Sequence, residues 1–208
     1  MKKLFLASYF SNTAPLFAEF AAQIGMGKKV LFIPTAAVPE KVNFYIAADK
    51  KALEKLGFTV QELEILTASK EEIAQKIAET DAIFVAGGNT FFLLQALKES
   101  GADALIADHI AQGKPYIGSS AGSIVLAKNI EYAALMDSTA AAPRLDGDFS
   151  ALGIVDFCVV PHVNNFPFKK AAQKVLQAYG DKMDLCPIGN HQAVAVQGDE
   201  IELRSKVN

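Results

Sequence analysis

A serine in a turn flanked by two glycines is the residue of this chain best placed to do chemistry. Residues 117–123 begin as an apolar strand and then pass through Gly118 and Gly122, with Ser120 between them. Small flanking residues let a strand-turn-helix bend tightly, so that the serine hydroxyl projects from the sheet and the next amide, that of Ala121, faces the same space. The alternative interpretation is an ordinary strand-to-helix turn with Ser120 as the helix N-cap.

His162 is the candidate for the base that such a serine needs, although for this residue taken alone a structural role would be favoured. A serine alcohol is a weak nucleophile near neutral pH, and a histidine with a pKa of about 6.5 takes its proton and later returns it to the leaving group. His162 follows the apolar run 159–161. Because residues at the carboxyl ends of parallel strands meet at one edge of a sheet, Ser120 and His162 are expected to form a pair. His109 is expected to be a surface or packing residue.

A third turn, at residues 86–90, contains Gly87 and Gly88 after an apolar strand and opens a helix. Its N–H groups could serve an anion or an oxyanion, whereas the plainer interpretation is a tight turn with Asn89 or Thr90 as a helix cap. A flavodoxin-like nucleotide binder is the least favoured function, because no phosphate-loop lysine or ribose-binding acid stands at a suitable spacing.

The elements around these turns predict an α/β domain, because short apolar runs alternate with amphipathic segments. The predicted strands of a parallel sheet are 3–8, 29–34, 59–64, 82–86, 115–118 and 156–161. The predicted helices are 14–24, 39–56, 70–79, 90–99, 102–112 and about 166–179. Residues 129–152 lack a period and are expected to form a loop excursion or short hairpin near the site, and residues 193–204 a hairpin around Gly198-Asp199.

Composition narrows the function classes. The 208 residues are 51% hydrophobic with a net charge of -3 and no dividing linker, which predicts a single domain over residues 1–208 and makes nucleic acid an unlikely partner. No apolar run reaches the roughly 18 residues that span a bilayer, so no membrane association and a cytoplasmic location are predicted. The apolar stretch after Met1 is interpreted as a strand, not a signal peptide.

The two cysteines, Cys158 and Cys186, are expected to be buried free thiols, although they could lie on adjacent strands. Neither has a second cysteine or a histidine at metal-ligand spacing, and no acidic pair accompanies the histidines. No metal and no other cofactor is therefore predicted.

Four motifs, taken together and in order, resemble a known family. They are residues 87–91, residues 116–122, residues 151–153 and Pro161-His162, within a similarity that runs from Lys3 to about Val196. They resemble peptidase E, the aspartyl dipeptidase family of serine peptidases, which is related to cyanophycinase. The resemblance implies a flavodoxin-like or class I amidotransferase-like three-layer sandwich with a mostly parallel central sheet. It also implies Ser120 as nucleophile, His162 as general base, and the N–H groups of Gly88 and Ala121 as the oxyanion hole.

The sequence departs from this family at the third member of the triad. Where the family has a glutamate in a Pro-Glu-Gly-Asn turn, this chain reads Pro187-Ile188-Gly189-Asn190, and isoleucine cannot orient an imidazole. Either His162 works in a dyad with a backbone carbonyl or water, or the enzyme is weak, or another acid substitutes. The candidates for that acid are Asp137, Asp184 and Asp199, and His191 is a further candidate for the network.

The second departure concerns specificity. The family's Gly-Glu-Thr-Arg segment, whose arginine grips the aspartate of the substrate, is replaced here by residues 165–170, which contain no arginine. Lys169 or Lys170 could supply a point charge instead, or could be a solvated charge at the start of a helix. The residues expected to contact the substrate are Asn89, Asp137, Lys169, Lys170 and His191.

The sequence therefore predicts a serine hydrolase that acts on small peptides, dipeptides among them, through an acyl-enzyme on Ser120. The alternative is a small-molecule binding relative of the same fold that kept the turn and lost activity. The small peptide is the only partner expected, and both a monomer and a homodimer fit the sequence.

Overall fold

Within the described part of the chain, nine strands form two sheets. The computed structural model of the protein describes residues 1–205. The strands are β1 (Lys3–Ala7), β2 (Lys29–Ile33), β3 (Thr59–Glu62), β4 (Ala82–Val85), β5 (Tyr116–Ser119), β6 (Cys158–Val160), β7 (Leu185–Pro187), β8 (Gln192–Gln197) and β9 (Glu200–Ser205). The larger sheet has seven strands in the order β3-β2-β4-β5-β1-β8-β9, and β6 pairs with β7 in a separate sheet.

The strands of the larger sheet are mostly parallel; the central strands β1, β2, β4 and β5 are buried on both faces, whereas β3 and β9 at the edges are largely exposed. β3, β2, β4, β5 and β1 run parallel, whereas β8 is antiparallel to β1 and β9 to β8. Along β1, Leu4 and Leu6 pack into one apolar cluster, and Phe5 and Ala7 pack into the other. Burial on both faces explains why the central strands are nearly continuous apolar runs.

Helices cover both faces of this sheet. They are α1 (Phe10–Gln23), α2 (Phe44–Lys55), α3 (Lys70–Glu79), α4 (Thr90–Ser100), α5 (Ala102–Ala111), α6 (Ala121–Ile124) and α7 (Lys169–Tyr179). Phe17 and Phe20 of α1 lie in the cluster on one face, and Ile73 of α3 and Leu97 of α4 lie in the cluster on the other. The predicted three-layer α/β sandwich with a mostly parallel sheet is confirmed.

The position of β6 corrects one expectation. Residues 156–161 are predicted as a strand of the main sheet, but β6 pairs only with β7, through Val159 opposite Cys186. A continuous apolar run indicates a buried strand and does not indicate which sheet the strand joins. Cys158 and Cys186 lie on these adjacent strands as free, partly buried thiols.

The connections also differ in detail from the predicted elements. The helix expected from residue 39 begins at Phe44, after a 3-10 turn at Thr35–Ala37. The excursion after α6 contains three 3-10 helices and is closed by a bridge between Asn129 and Ser150. The predicted C-terminal hairpin is present as β8 and β9. Among residues 1–205, no helix is long and apolar enough to cross a membrane.

Candidate active site

Ser120 occupies a strained bend between β5 and α6. Its φ is 50°, a left-handed value that non-glycine residues rarely adopt. The carbonyl of Ala7, at the end of β1, holds the bend from the neighbouring strand, because it accepts hydrogen bonds from the Ser120 amide (3.0 Å) and the Ser123 Oγ (2.8 Å). Strain of this kind concentrates at functional sites, where the surrounding structure stabilises it.

The two flanking glycines allow the backbones to approach closely. A Cβ added to Gly118 would lie 2.6 Å from the carbonyl carbon of Gly122, and one added to Gly122 would lie 2.1 Å from the carbonyl oxygen of Val85. Neither position therefore has room for a side chain. The glycine pattern noticed in the sequence is thus a steric requirement for packing α6 against β4 and β5.

His162 faces Ser120 from the end of β6. The Ser120 Oγ and the His162 Nε2 are 2.9 Å apart, and the His162 Nδ1 lies 2.7 Å from the Oδ1 of Asn190. His162 also has a positive φ, 61°, which turns its side chain at the strand end. The structure thus brings together a serine, a histidine and an asparagine in one chain of hydrogen bonds.

Asn190 stands in the turn after β7, where its backbone is held by a second asparagine. The Asn190 amide donates to the Oδ1 of Asn165 at 2.9 Å, and the Gly189 amide donates to the Oε1 of Gln192 at 2.8 Å. Ile188, two residues earlier, is fully buried in the core and contributes no polar group. The side chain that meets the imidazole therefore belongs to residue 190.

None of the three acids suggested by the sequence takes this place. Asp137 accepts hydrogen bonds from the amide and hydroxyl of Thr90 and so binds the first turn of α4. Asp184 lies at the amino ends of β6 and β7, where its carbonyl accepts from the Cys158 amide. Asp199 lies in the β8–β9 turn beside the amino end of β1, which is roughly 17 Å from the carboxyl end at the usual rise per residue of a strand.

Ser8, the residue after β1, also contacts this chain of side chains. Its Oγ accepts from the His162 amide at 2.8 Å, and it lies 3.0 Å from the Oδ1 of Asn190 and 3.3 Å from the His162 Nδ1. Ser8 is fully buried. The end of β1 therefore contacts both the serine turn, through Ala7, and the histidine, through Ser8.

The imidazole of His162 is stacked and largely shielded from water. The ring of Phe168 lies over it with ring centroids 4.9 Å apart and planes 25° apart. Burial lowers the pKa of His162 below its usual value, and the hydrogen bond with Asn190 opposes this by raising it. The net direction is downward, which keeps the imidazole neutral and able to accept a proton near neutral pH.

The turn at Gly87 and Gly88 lies against the serine bend. The position of a Gly87 Cβ is 3.3 Å from the Ser120 Cβ, and Gly88 has a φ of 142° and packs so closely on Ala36 that a Cβ would lie 2.1 Å from its carbonyl oxygen. Within the part of the chain that the structure describes, the amides of Gly88 and Ala121 donate to no protein acceptor. Two backbone N–H groups without a protein acceptor therefore lie in the two turns next to the Ser120 side chain.

The five residues predicted to contact the substrate are found in different settings. Asn89 is buried and caps α4: its Oδ1 accepts from the Phe92 amide and its Nδ2 donates to the Ser138 carbonyl. The role of Asn89 as a helix cap, the plainer interpretation given above, is therefore present, and its contact with a substrate stays a prediction. Asp137 is similarly engaged by Thr90, and burial raises the pKa of its carboxyl.

The remaining three residues are exposed. Lys169 and Lys170 open α7 directly after Phe168, and His191 follows Asn190. No hydrogen bond or ion pair joins the side chains of these three residues to any other residue between 1 and 205, so His191 lies outside the His162 network. Over the same residues, no three histidine, cysteine or acidic side chains are grouped to hold a metal ion.

The sequence model of peptidase family S51 matches residues 4–204. The chain belongs to peptidase family S51. The resemblance to the peptidase E family seen in the sequence motifs is thereby confirmed, and the protein is a peptidase.

Two relatives of this S51 peptidase are similar along nearly their whole length, and a third is similar over part of it. An uncharacterized peptidase of Listeria monocytogenes is 51% identical over 201 residues, 97% of each chain. An uncharacterized peptidase of Pasteurella multocida is 49% identical over 199 residues, 96% of this chain and 95% of the other. Peptidase E of Shewanella denitrificans is 34% identical over 140 residues, 67% of this chain and 55% of that protein.

Solved structures agree on the fold. A crystal structure of a candidate peptidase E from Listeria monocytogenes superimposes over the full length of both chains, with a TM-score of 0.93 and 48% identity. A peptidase from an acI-B1 Actinobacterium has a TM-score of 0.72 at 22% identity, covering 99% of this chain and 88% of its own, and shares the fold.

Sequence reasoning missed two contacts of His162, those with Asn190 and Ser8. Ser8 could have been found by the strand-end rule, since it follows β1, whereas Asn190 follows β7, a strand that was not predicted. An acid is expected at this place from the sequence, but an amide oxygen accepts a hydrogen bond from an imidazole as a carboxylate does.

Proposed function

We propose that this S51 peptidase is a serine peptidase that cleaves small peptides through an acyl-enzyme on Ser120. The observation that carries the proposal is the 2.9 Å contact of the Ser120 Oγ with the His162 Nε2, with the opposite ring nitrogen 2.7 Å from the Asn190 Oδ1. A nucleophile, a base and a group that orients the base are the parts that acyl transfer needs.

The proton pathway follows from the hydrogen-bonding capacity of the three side chains. The Asn190 oxygen can only accept, so the His162 Nδ1 carries the proton between them and the Nε2 presents its lone pair to Ser120. His162 takes the hydroxyl proton as Ser120 attacks the peptide carbonyl, and returns it to the leaving amine. Water, deprotonated by the same nitrogen, then hydrolyses the acyl-enzyme.

The negative charge that develops on the carbonyl oxygen of the substrate needs hydrogen-bond donors beside that oxygen. The free N–H groups of Gly88 and Ala121 are the donors that we assign to it, one from the turn before α4 and one from the first residue of α6. Because both are backbone groups in tightly packed turns, they need not reorganise during the reaction. Loss of one such donor typically costs about 100- to 1000-fold in rate.

The proposed preference for small peptides rests on the segment after α6, which is tied to the site and would restrict the access of longer chains. Asn89 and Thr90 bind Ser138 and Asp137 of that segment, which fixes it beside Gly88. Aspartate specificity is not part of the proposal, because residues 165–170 contain no arginine and Lys169 and Lys170 lack the two-pronged geometry that holds a carboxylate.

Labelling with a fluorophosphonate probe tests the proposal. We expect the wild-type protein to react covalently at Ser120, the Ser120→Ala variant not to react, and the His162→Ala variant to react at least about 100-fold more slowly. A Ser138→Ala variant, which removes an exposed serine near the site, should react like the wild type. Labelling no faster than that of denatured protein, or normal peptide turnover by Ser120→Ala, would overturn the proposal and favour a binding relative.

A further inference from the structure

We propose that Ser8 is a positioning residue that selects the orientation of the Asn190 amide and thereby the tautomer of His162. The functional part of this inference rests on the proposed function, because the tautomer matters for the reaction only if His162 is the base. The structural part does not, since it concerns where one proton lies in the resting protein.

Ser8 has three polar neighbours and a single proton to give. Its Oγ accepts from the His162 backbone amide at 2.8 Å, which uses one lone pair. The hydroxyl proton must then go to a different atom, and the two within reach are the Asn190 Oδ1 at 3.0 Å and the His162 Nδ1 at 3.3 Å. Because Ser8 is fully buried, no solvent water substitutes for either acceptor.

The two orientations of the Asn190 amide differ in whether the proton of the Ser8 hydroxyl has a hydrogen-bond acceptor of its own. With the oxygen towards His162, Asn190 accepts from both the Ser8 hydroxyl and the Nδ1–H, and the Nε2 is left free to accept from Ser120. With the amide reversed, its NH2 group donates to the Ser8 Oγ and to the lone pair of Nδ1, which is also the one remaining acceptor within reach of the Ser8 proton. One of these two donors is then left without a partner, because Nδ1 has a single lone pair. A buried donor without a partner is costly, so Ser8 favours the first orientation by about tenfold to hundredfold.

An asparagine needs this selection and an aspartate does not. The two ends of a carboxylate are equivalent, so either oxygen accepts from the imidazole, whereas the amide presents an acceptor at one end and a donor at the other. The reversed amide would leave the proton on Nε2, where His162 cannot take a proton from Ser120. Ser8 thus fulfils a requirement that arises because residue 190 is neutral.

The test compares Ser8→Ala in two backgrounds, the wild type and Asn190→Asp. The tautomer of His162 is read from the nitrogen-15 chemical shifts of its ring, in labelled protein at a pH where the imidazole is neutral. We expect the wild type to carry its proton on Nδ1 and Ser8→Ala to show a substantial fraction with the proton on Nε2. In the Asn190→Asp background, Ser8→Ala should leave the proton on Nδ1.

Peptide hydrolysis supplies the second readout. Ser8→Ala should lower kcat by about tenfold to hundredfold with KM changed less than about twofold, and the same substitution should cost less than about threefold in the Asn190→Asp background. Ser8→Thr, which keeps the hydroxyl, should recover the Nδ1 tautomer, and Ser8→Cys, a weaker donor of similar shape, should be intermediate. Thermal unfolding identifies any variant that does not fold.

Two results would overturn the inference: an unchanged tautomer in folded Ser8→Ala, or an equal loss of kcat in both backgrounds. Its failure is distinguishable from failure of the proposed function, because the ring shifts are measured without turnover and can be repeated in the Ser120→Ala protein. A wild type that does not react with the fluorophosphonate probe would contradict the serine mechanism and leave the tautomer measurement valid.

Discussion

The Oγ of Ser120 and the Nε2 of His162 lie 2.9 Å apart although the two residues follow strands of different sheets. Ser120 comes after β5 in the seven-stranded sheet, and His162 comes after β6 in the two-stranded sheet. Phe168 stacks on the imidazole, and the Oδ1 of Asn190 lies 2.7 Å from its Nδ1. Substitutions at these two residues therefore test the chemistry of the contact.

Removing the ring that covers His162 should raise the pKa of the imidazole. Burial holds this pKa below 6.5, so the activity of the wild type should fall in acid with a midpoint below that value. In Phe168→Ala the imidazole becomes more exposed, and the midpoint should move up towards 6.5 because the charged form is better solvated. The pH dependence of kcat/KM measures both midpoints.

Phe166 provides the matched control for this substitution. It is 93% exposed, whereas Phe168 is stacked on the imidazole. Phe166→Ala should therefore leave the acidic midpoint unchanged. A midpoint in Phe168→Ala equal to that of the wild type would show that the stacked ring does not set the solvation of His162.

The parts of the fold that could be predicted are those decided by local pattern. The helix expected at 70–79 agrees with α3, because Ser69 caps it and Ile73 and Ile77 define its buried face. β7 was not predicted, because three residues are too few for a pattern, and the partner of β6 depends on contacts with residues more than twenty positions away. The same limit applies to the site. The serine and histidine are conspicuous by residue type, whereas Ser8 and Asn190 acquire their roles only through the packing of distant strands.

Replacing Asn190 by aspartate should shift the acidic midpoint upwards. A carboxylate 2.7 Å from Nδ1 would stabilise the imidazolium, which a neutral amide does less well, so the pKa of His162 should rise. The pH profile of probe labelling detects the change. Because a carboxylate also accepts the Nδ1 proton, activity near pH 8 should be retained; a midpoint unmoved or lowered in Asn190→Asp would contradict the contact.

The strain at Ser120 predicts an unusual order of stability between two variants at this position. Ser120→Gly should be more stable than Ser120→Ala by about 1 kcal/mol, since glycine tolerates the positive φ at this position. Denaturant unfolding gives the two free energies of unfolding. At Ser123, inside α6, the order should be reversed, because alanine is the better helix former. The same order at both positions would show that the bend is unstrained.

The buried carboxyl of Asp49 should make stability depend on pH. Its Oδ1 accepts from the Ser11 amide at the start of α1, its Oδ2 has no partner within residues 1–205, and burial raises its pKa to about 7. Between pH 3.8, the ordinary pKa of this carboxyl, and about pH 7, the folded protein therefore binds the proton more tightly than the unfolded chain does. The contribution of Asp49 to the free energy of unfolding should fall as the pH rises through this range.

Asp49→Asn isolates this effect, because an amide keeps an acceptor for Ser11 and has no charge. The difference in stability between this variant and the wild type should grow in favour of the variant as the pH is raised from 4 to 7, measured by denaturant unfolding. Asp181→Asn, at an exposed position, controls for the loss of one carboxylate. A pH-independent difference for Asp49→Asn would indicate that this carboxyl titrates alike in both states.

The positions of Ser120 and His162 after strands of two different sheets have a consequence for partial unfolding. The two-stranded sheet has only three residues in each strand, so it holds far fewer ladder hydrogen bonds than its seven-stranded neighbour. If this small sheet detaches first on heating, chemical reactivity disappears while most of the regular structure remains. Inactivation would then precede the loss of circular dichroism, and cooling would restore function as soon as the detached piece docks again.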